Sequence, residues 1–197
     1  MSSVINETLL AIKATFEAGV NIFNGGTAVS SSNPLPVGGK SVQKSASFTR
    51  PADTTAYAAY DSIADSTTAP TLLSFAKCAN ADGGQGYIVK TRLLTNQKTC
   101  TARFRLSFYH TAPSPVNDNA PKPMLYANKD KLIGRIDLDP CNTEGTTSDA
   151  AYVLSTALLP YVCAAADTTI YCILTTLDAF TPASAQQFFL EITCELS

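Results

Sequence analysis

In FFLEITCEL, residues 188–196, Phe188, Leu190, Ile192, Cys194 and Leu196 fall on one side of an extended chain, against Glu191, Thr193 and Glu195 on the other. That period of two is what a half-buried strand requires, because successive Cβ atoms point to opposite faces of a sheet. Toward the N-terminus, TTIYCILTTL (168–177) and VLSTALLPYVCAAA (153–166) are further apolar, β-prone runs. KLIGRIDLD (131–139) alternates Leu132, Gly134, Ile136 and Leu138 with Lys131, Ile133, Arg135 and Asp137. TARFRLSFYH (101–110) sets Ala102, Phe104, Leu106 and Phe108 inward and Thr101, Arg103, Arg105 and Ser107 outward. In GYIVKTRLLT (86–95), Tyr87, Val89, Thr91 and Leu93 share one face and Ile88, Lys90, Arg92 and Leu94 the other. The polar NQKT between these last two runs predicts a hairpin.

Shorter runs at SASFTR (45–50), TAYAAYDSI (55–63) and TLLSFAKCA (71–79), separated by turn residues, bring the expectation to about eight strands. An all-β chain of this size predicts a jelly-roll-like, two-sheet antiparallel sandwich over residues 45–197. An immunoglobulin-like sandwich competes. The absence of Trp and the long connection at 111–130 disfavour it.

The first 44 residues read differently. Ile5, Leu9, Ile12 and Phe16 recur at helical spacing, with Ser2 or Ser3 as N-cap, and predict an amphipathic helix over 4–23. Such a helix either packs on its own domain or docks on a partner, so these four residues are the candidate partner contacts. NGGTAVSSSNPLPVGGKSVQK (24–44) has the composition of a linker or extended arm.

Composition narrows the function classes. Among 197 residues, 16 acidic side chains against 14 scattered basic ones leave a net charge of −2, which offers no nucleic-acid footprint. Only 15% of residues are charged, a surface suited to packing against neighbours. Glu7, Lys13 and Glu17 interrupt the first apolar residues and no basic region precedes them, so the expectation is synthesis in a cytoplasm without secretion or membrane insertion. The six cysteines include no CxxC pair, and the single histidine, His110, leaves little for a zinc site. They read as buried free thiols.

No catalytic residues, cofactor or metal emerge. A nucleophilic triad would have to use His110, which ends a strand and reads as loop support. NGG (24–26) and DGGQG (82–86) precede no helix and read as turns rather than phosphate cradles. Asp61 with Asp65, and Asp137 with Asp139, lack calcium-loop spacing.

SFTRPADTTAYAAYDSIADS (47–66), LSFAKCANADGGQGYIVKTRLLTNQ (73–97), TARFRLSFYHTAPSPVNDNAP (101–121) and KLIGRIDL (131–138) together resemble a recurrent family of small β-sandwich structural proteins of tailed bacteriophages. The resemblance covers residues 47–138, and TRPADTTAY is its most distinctive part. It implies a virion role: a capsid decoration or cement protein, made in the host bacterial cytoplasm and placed on the capsid surface. Its expected partners are the major capsid protein and further copies of itself in a homotrimer. A tail, baseplate or host-binding protein is the alternative, and a jelly-roll carbohydrate-active enzyme a distant one. The motif also has a local reading. Arg50 and Pro51 end a strand, Asp53 to Thr55 can form an Asx turn, and Asp118 with Asn119 can close a loop.

Overall fold

The computed structural model describes residues 40–197 and, ahead of them, the backbone at 23–24 and 27–28. The chain divides into two units, Met1–Gly39 and Lys40–Ser197. In the first, β1 (Phe23–Asn24) pairs antiparallel with β2 (Thr27–Ala28). Ile5, Leu9, Ile12 and Phe16, and the helix expected to carry them, lie outside the described residues.

The second unit holds nine strands: β3 (Lys40–Thr49), β4 (Ser62–Ile63), β5 (Leu73–Phe75), β6 (Gln85–Thr95), β7 (Phe104–Tyr109), β8 (Leu132–Leu138), β9 (Ala151–Val162), β10 (Ile170–Thr176) and β11 (Gln187–Leu196). Helix among the described residues amounts to one 3-10 turn, Tyr126–Asn128. No helix there is long and apolar enough to cross a membrane.

One sheet runs β4-β10-β7-β8, with β5 also paired to β10, and the other runs β3-β11-β6-β9. All pairings are antiparallel. Since β4 and β5 share one neighbour, they fill a single position, and the sheet orders become those of a jelly roll. The expected sandwich is present. Its first strand reaches back to Lys40, into residues whose composition had read as linker. The runs at 55–63 and 71–79 contribute only two and three strand residues. Left-handed backbone at Tyr60 (φ 73°) and Lys77 (φ 60°) ends extended structure there.

Three expectations from the strand patterns need correction. First, 86–95 and 101–110 do not form a hairpin: β6 pairs with β11 and β9, whereas β7 pairs with β10 and β8. Cys100 and Ala102 in the link are buried, so it crosses the end of the core from one sheet to the other rather than reversing at the surface. The strand that follows β7 in the chain and pairs with it is β8, across the longest connection in the domain.

Second, a bulge falls between Ile88 and Lys90, where Ile88 opposes Cys194 while Lys90 opposes Thr193. One extra residue reverses the phase of a strand. Ile88 therefore shares the inner face with Thr91 and Leu93, and all three are fully buried. Third, Phe108 opposes Gly134 but Tyr109 opposes Leu132, so Ile133 is the extra residue and packs on the core in place of Leu132.

Between the sheets, Phe104, Leu106 and Phe108 of β7 meet Phe188, Leu190 and Ile192 of β11, all at most 1% exposed. Phe104 lies edge-on to Phe188 at 5.9 Å between ring centroids, a favoured aromatic geometry. At roughly 25 cal/mol per Å² of apolar surface removed from water, this layer is the main stabilising contribution of the fold.

The outer faces of the two sheets differ. On the five-stranded sheet, Ile173, Thr175 and Ser107 are buried although they point away from the core. The connection between β7 and β8 covers them. It is fastened along β4 by backbone bonds from Asn119 N to Ser62 O (3.0 Å), Ser62 N to Ala120 O (2.9 Å) and Asp118 N to Ser66 O (2.8 Å). No described segment covers the four-stranded sheet's outer face in this way, as the exposure of Leu154, Leu158 and Val162 records.

Candidate functional site

The motif TRPADTTAY builds a closed polar cluster. Arg50 follows β3 and its side chain is wholly buried. Its Nε donates to the Tyr57 hydroxyl (2.9 Å), Nη1 to the Asp53 carbonyl (2.6 Å) and Nη2 to Asp53 Oδ1 (3.1 Å) and Asp118 Oδ2 (3.3 Å). Asp118 also accepts the Tyr57 hydroxyl (2.6 Å) and the backbone N–H of Ala64 (2.9 Å). The expected Asx turn is present, with Thr55 N donating to Asp53 Oδ1 at 2.9 Å. That N–H first, and Arg50 second, hold the Asp53 carboxyl below the usual range. Burial and the neighbouring Asp118 push the Tyr57 hydroxyl far up, so it stays protonated as a donor.

A buried guanidinium is tolerated only when paired and hydrogen-bonded, and here its partners come from both ends of the motif. The cluster ties the start of the sandwich to the β7–β8 connection. Its hydrogen-bonding groups face one another, so it is fold-determining rather than ligand-binding.

The other polar residues singled out in the sequence are engaged likewise. Both His110 ring nitrogens are occupied, Nε2 by the Asp130 carbonyl (2.6 Å) and Nδ1 by the Thr111 hydroxyl (3.0 Å), which is loop support. Asp61 caps the Ala58 N–H and Asp65 the Thr71 N–H. Asp137 takes both ends of the Arg105 fork at 2.6 and 2.7 Å, which lowers its pKa. No group of three or more His, Cys, Asp or Glu that could hold a metal occurs among the described residues. The six cysteines are buried and unlinked.

Concavities of about 300 Å³ or more include one lined by Phe48, Asp65, Leu72 and Leu73 and two others. Of these two, one, of about 300 Å³, is lined by Tyr87, His110, Ile133, Tyr161 and Val162 among others. The other, of about 480 Å³, lies over Phe48, Leu94, Phe188 and Phe189. Asp65 is the one acidic side chain lining these three, whereas glycoside hydrolysis uses a facing carboxylate pair.

The most developed feature is the bare outer face. It is graded across four strands. At one edge β3 presents Ser41, Gln43, Ser45, Ser47 and Thr49, all exposed. In the middle, Arg92 of β6 pairs with Glu191 of β11 at 2.8 Å and lies over the Phe189 ring. At the other edge β9 presents Leu154 (45% exposed), Leu158 (73%) and Val162 (55%), with Tyr87 of β6 alongside. Among the described residues, β9 has β6 on one side, and its other edge carries a single bridge, Tyr152 to Asn142. An apolar stripe beside unpaired backbone donors and acceptors is the chemistry of a protein-docking surface. A smaller exposed patch, Met124, Leu125 and Tyr126, sits on the β7–β8 connection.

The sequence reading did not single out this face. Its signal is the run AYVLSTALLPYV, in which the second set of alternate positions, Tyr152, Leu154, Thr156, Leu158, Pro160 and Val162, is apolar at all but Thr156. A strand with one solvated face normally shows polar residues there.

No family model matches the chain, and no curated protein matches it. Among solved structures, it is similar to a chain of the cyanophage Pam1 capsid asymmetric unit, at 13% identity and a TM-score of 0.33, over 90% of this chain and 100% of that one.

Proposed function

We propose that this chain is a structural protein of a tailed-phage virion, binding as a decoration or cement protein to the assembled head. The observation that carries this reading is the graded face of β3-β11-β6-β9, which no described segment covers and whose edge strand exposes Leu154, Leu158 and Val162. The motif resemblance over residues 47–138 supports the phage context. In this reading the partners are the major capsid protein and two further copies of the chain, and residues 1–39, ahead of β3, reach onto neighbouring capsomers. An arm of that kind gains affinity because its contacts form at high effective concentration. Binding only the assembled shell stabilises that shell by mass action.

Purified particles provide the test. Quantitative mass spectrometry should find on the order of hundreds of copies per particle, in keeping with a symmetric shell. Deleting residues 1–39, which leaves β3 whole, should lower occupancy and the temperature at which heads release DNA. A copy number of a few to tens would favour the second reading, a tail, baseplate or host-binding protein. The exposed Met124, Leu125 and Tyr126 on the β7–β8 connection support that alternative.

A further inference from the structure

The six cysteines are not scattered evenly through the core. Cys78 and Cys194 are neighbours in the core, close enough for each to perturb the other's thiol, and so are Cys100 and Cys141, while the Cys78 thiol itself donates to the Phe75 carbonyl at 3.2 Å. The pairs lie near opposite ends of the sandwich. Cys194 stands near the end of the four-stranded sheet where Leu196 opposes Gly86, whereas Cys100 follows the other end of the same strand, beyond Thr95.

Backbone geometry supports each pairing independently. The β7–β8 register ends at Phe104↔Leu138, and Cys100 and Cys141, four residues before and three residues after that pair in the chain, are both buried in the core. At the other end the Tyr161 hydroxyl donates to the Cys78 carbonyl and also contacts the Cys194 thiol, holding those two residues around one ring. Both pairs straddle the seam between the sheets. Cys78 follows β5 of one sheet while Cys194 belongs to β11 of the other. Cys100 and Cys141 lie on the two links that cross between the sheets, β6 to β7 and β8 to β9.

We propose that Cys78–Cys194 and Cys100–Cys141 are two disulfide-forming pairs that staple the sheets together when the protein meets an oxidising medium, leaving Cys163 and Cys172 as thiols. The oxidant is a low-molecular-weight disulfide such as oxidised glutathione. A cysteine thiolate attacks it, forming a mixed disulfide and releasing one small thiol. The second cysteine of the pair, deprotonated, then attacks the protein sulfur, closing the protein disulfide and releasing the second small thiol. Each pair loses two protons and two electrons, and the small disulfide is reduced to two thiols. Because all four sulfurs are buried, exchange proceeds through opening or during folding.

The experiment refolds the full chain from denaturant in a buffer of oxidised and reduced glutathione, alkylates remaining thiols under denaturing conditions and maps peptides without reduction. The expected result is two linkages, 78–194 and 100–141, with Cys163 and Cys172 alkylated. A rise in Tm of roughly 5–15 °C over the reduced protein should accompany them. Cys163→Ala should leave both linkages in place, and Cys141→Ala should abolish one and spare the other. Six alkylated cysteines after refolding, or a linkage that includes Cys163 or Cys172, would overturn the proposal.

Discussion

The Tyr57 hydroxyl donates to Asp118 Oδ1 at 2.6 Å, joining positions 61 residues apart in the chain, and accepts from Arg50 Nε at 2.9 Å. Removing Asp118 leaves a guanidinium buried without one of its carboxylates. Asp118→Ala should therefore cost about 3–5 kcal/mol, and Tyr57→Phe about 1–3 kcal/mol. Urea unfolding measures both, with a lowered midpoint at unchanged slope. A loss for Asp118→Ala within the roughly 0.5 kcal/mol of a surface change would contradict the staple.

Gly86 and Gly134 should respond differently to alanine. A Cβ on Gly86 would meet the Glu195 carbonyl and, at 2.6 Å, the Tyr161 hydroxyl, which the Cys78 carbonyl holds in place. A Cβ on Gly134 meets only the Leu159 side chain, at 2.7 Å from Cδ1, and that flexible end can turn aside. Gly86→Ala should cost about 1–3 kcal/mol and Gly134→Ala less than half of that. Equal losses would refute the contrast.

The exposed β9 stripe can be separated from stability. Leu158 is 73% exposed, so Leu158→Asp should leave the urea midpoint within about 0.5 kcal/mol of the parent. If the stripe docks on the shell, the same variant should weaken binding to purified heads about tenfold or more. Unchanged binding would remove β9 from the interface.

Stability should decline at both extremes of pH. Arg105 holds the Asp137 carboxyl low, and Arg103 does the same for Asp178. Their contribution is present above the unfolded value of about 4 and is lost as pH falls through the lower folded values. In the other direction, burial and then Asp167 push the Cys163 thiol up to about 11. The folded state keeps a proton that the unfolded chain releases near pH ~8.5, so this contribution is complete below ~8.5 and lost by about 11. Thermal melts across pH should show the alkaline decline, with a slope of at most about 1.4 kcal/mol per pH unit from this group. Cys163→Ala should flatten it; an unchanged slope would exclude Cys163 as its source.

The sandwich was legible wherever alternation ran unbroken. Phe188 to Leu196 behave as their pattern predicts because β11 lies in the sheet interior, with a partner on each side and one face against the core. The pattern failed at Val89 and Ile133, where a single inserted residue leaves composition unchanged yet reverses which side chains face inward. Pairing was less legible still. The β6–β7 link was read by its polar residues, while its destination depends on Cys100 and Ala102 being drawn into the core. Arg50 was recognised as the end of a strand; that it is buried depends on Asp118, which only the folded β7–β8 connection brings to it.

The ten-residue pairing of β3 with β11, from Thr49↔Gln187 to Lys40↔Leu196, has a consequence for how the domain is made. An interior position in the four-stranded sheet belongs to β11, the last of that sheet's strands in chain order. Until it emerges, β3 lacks its one partner among the described strands and β6 has an open side, while a nascent chain already carries most of the core residues. The sandwich is therefore completed late and cooperatively, on the slow timescale of folds dominated by distant contacts. Throughout that interval the unfinished sheet can recruit a strand from a neighbouring nascent chain, so crowding of unfinished chains favours exchange of strands between them.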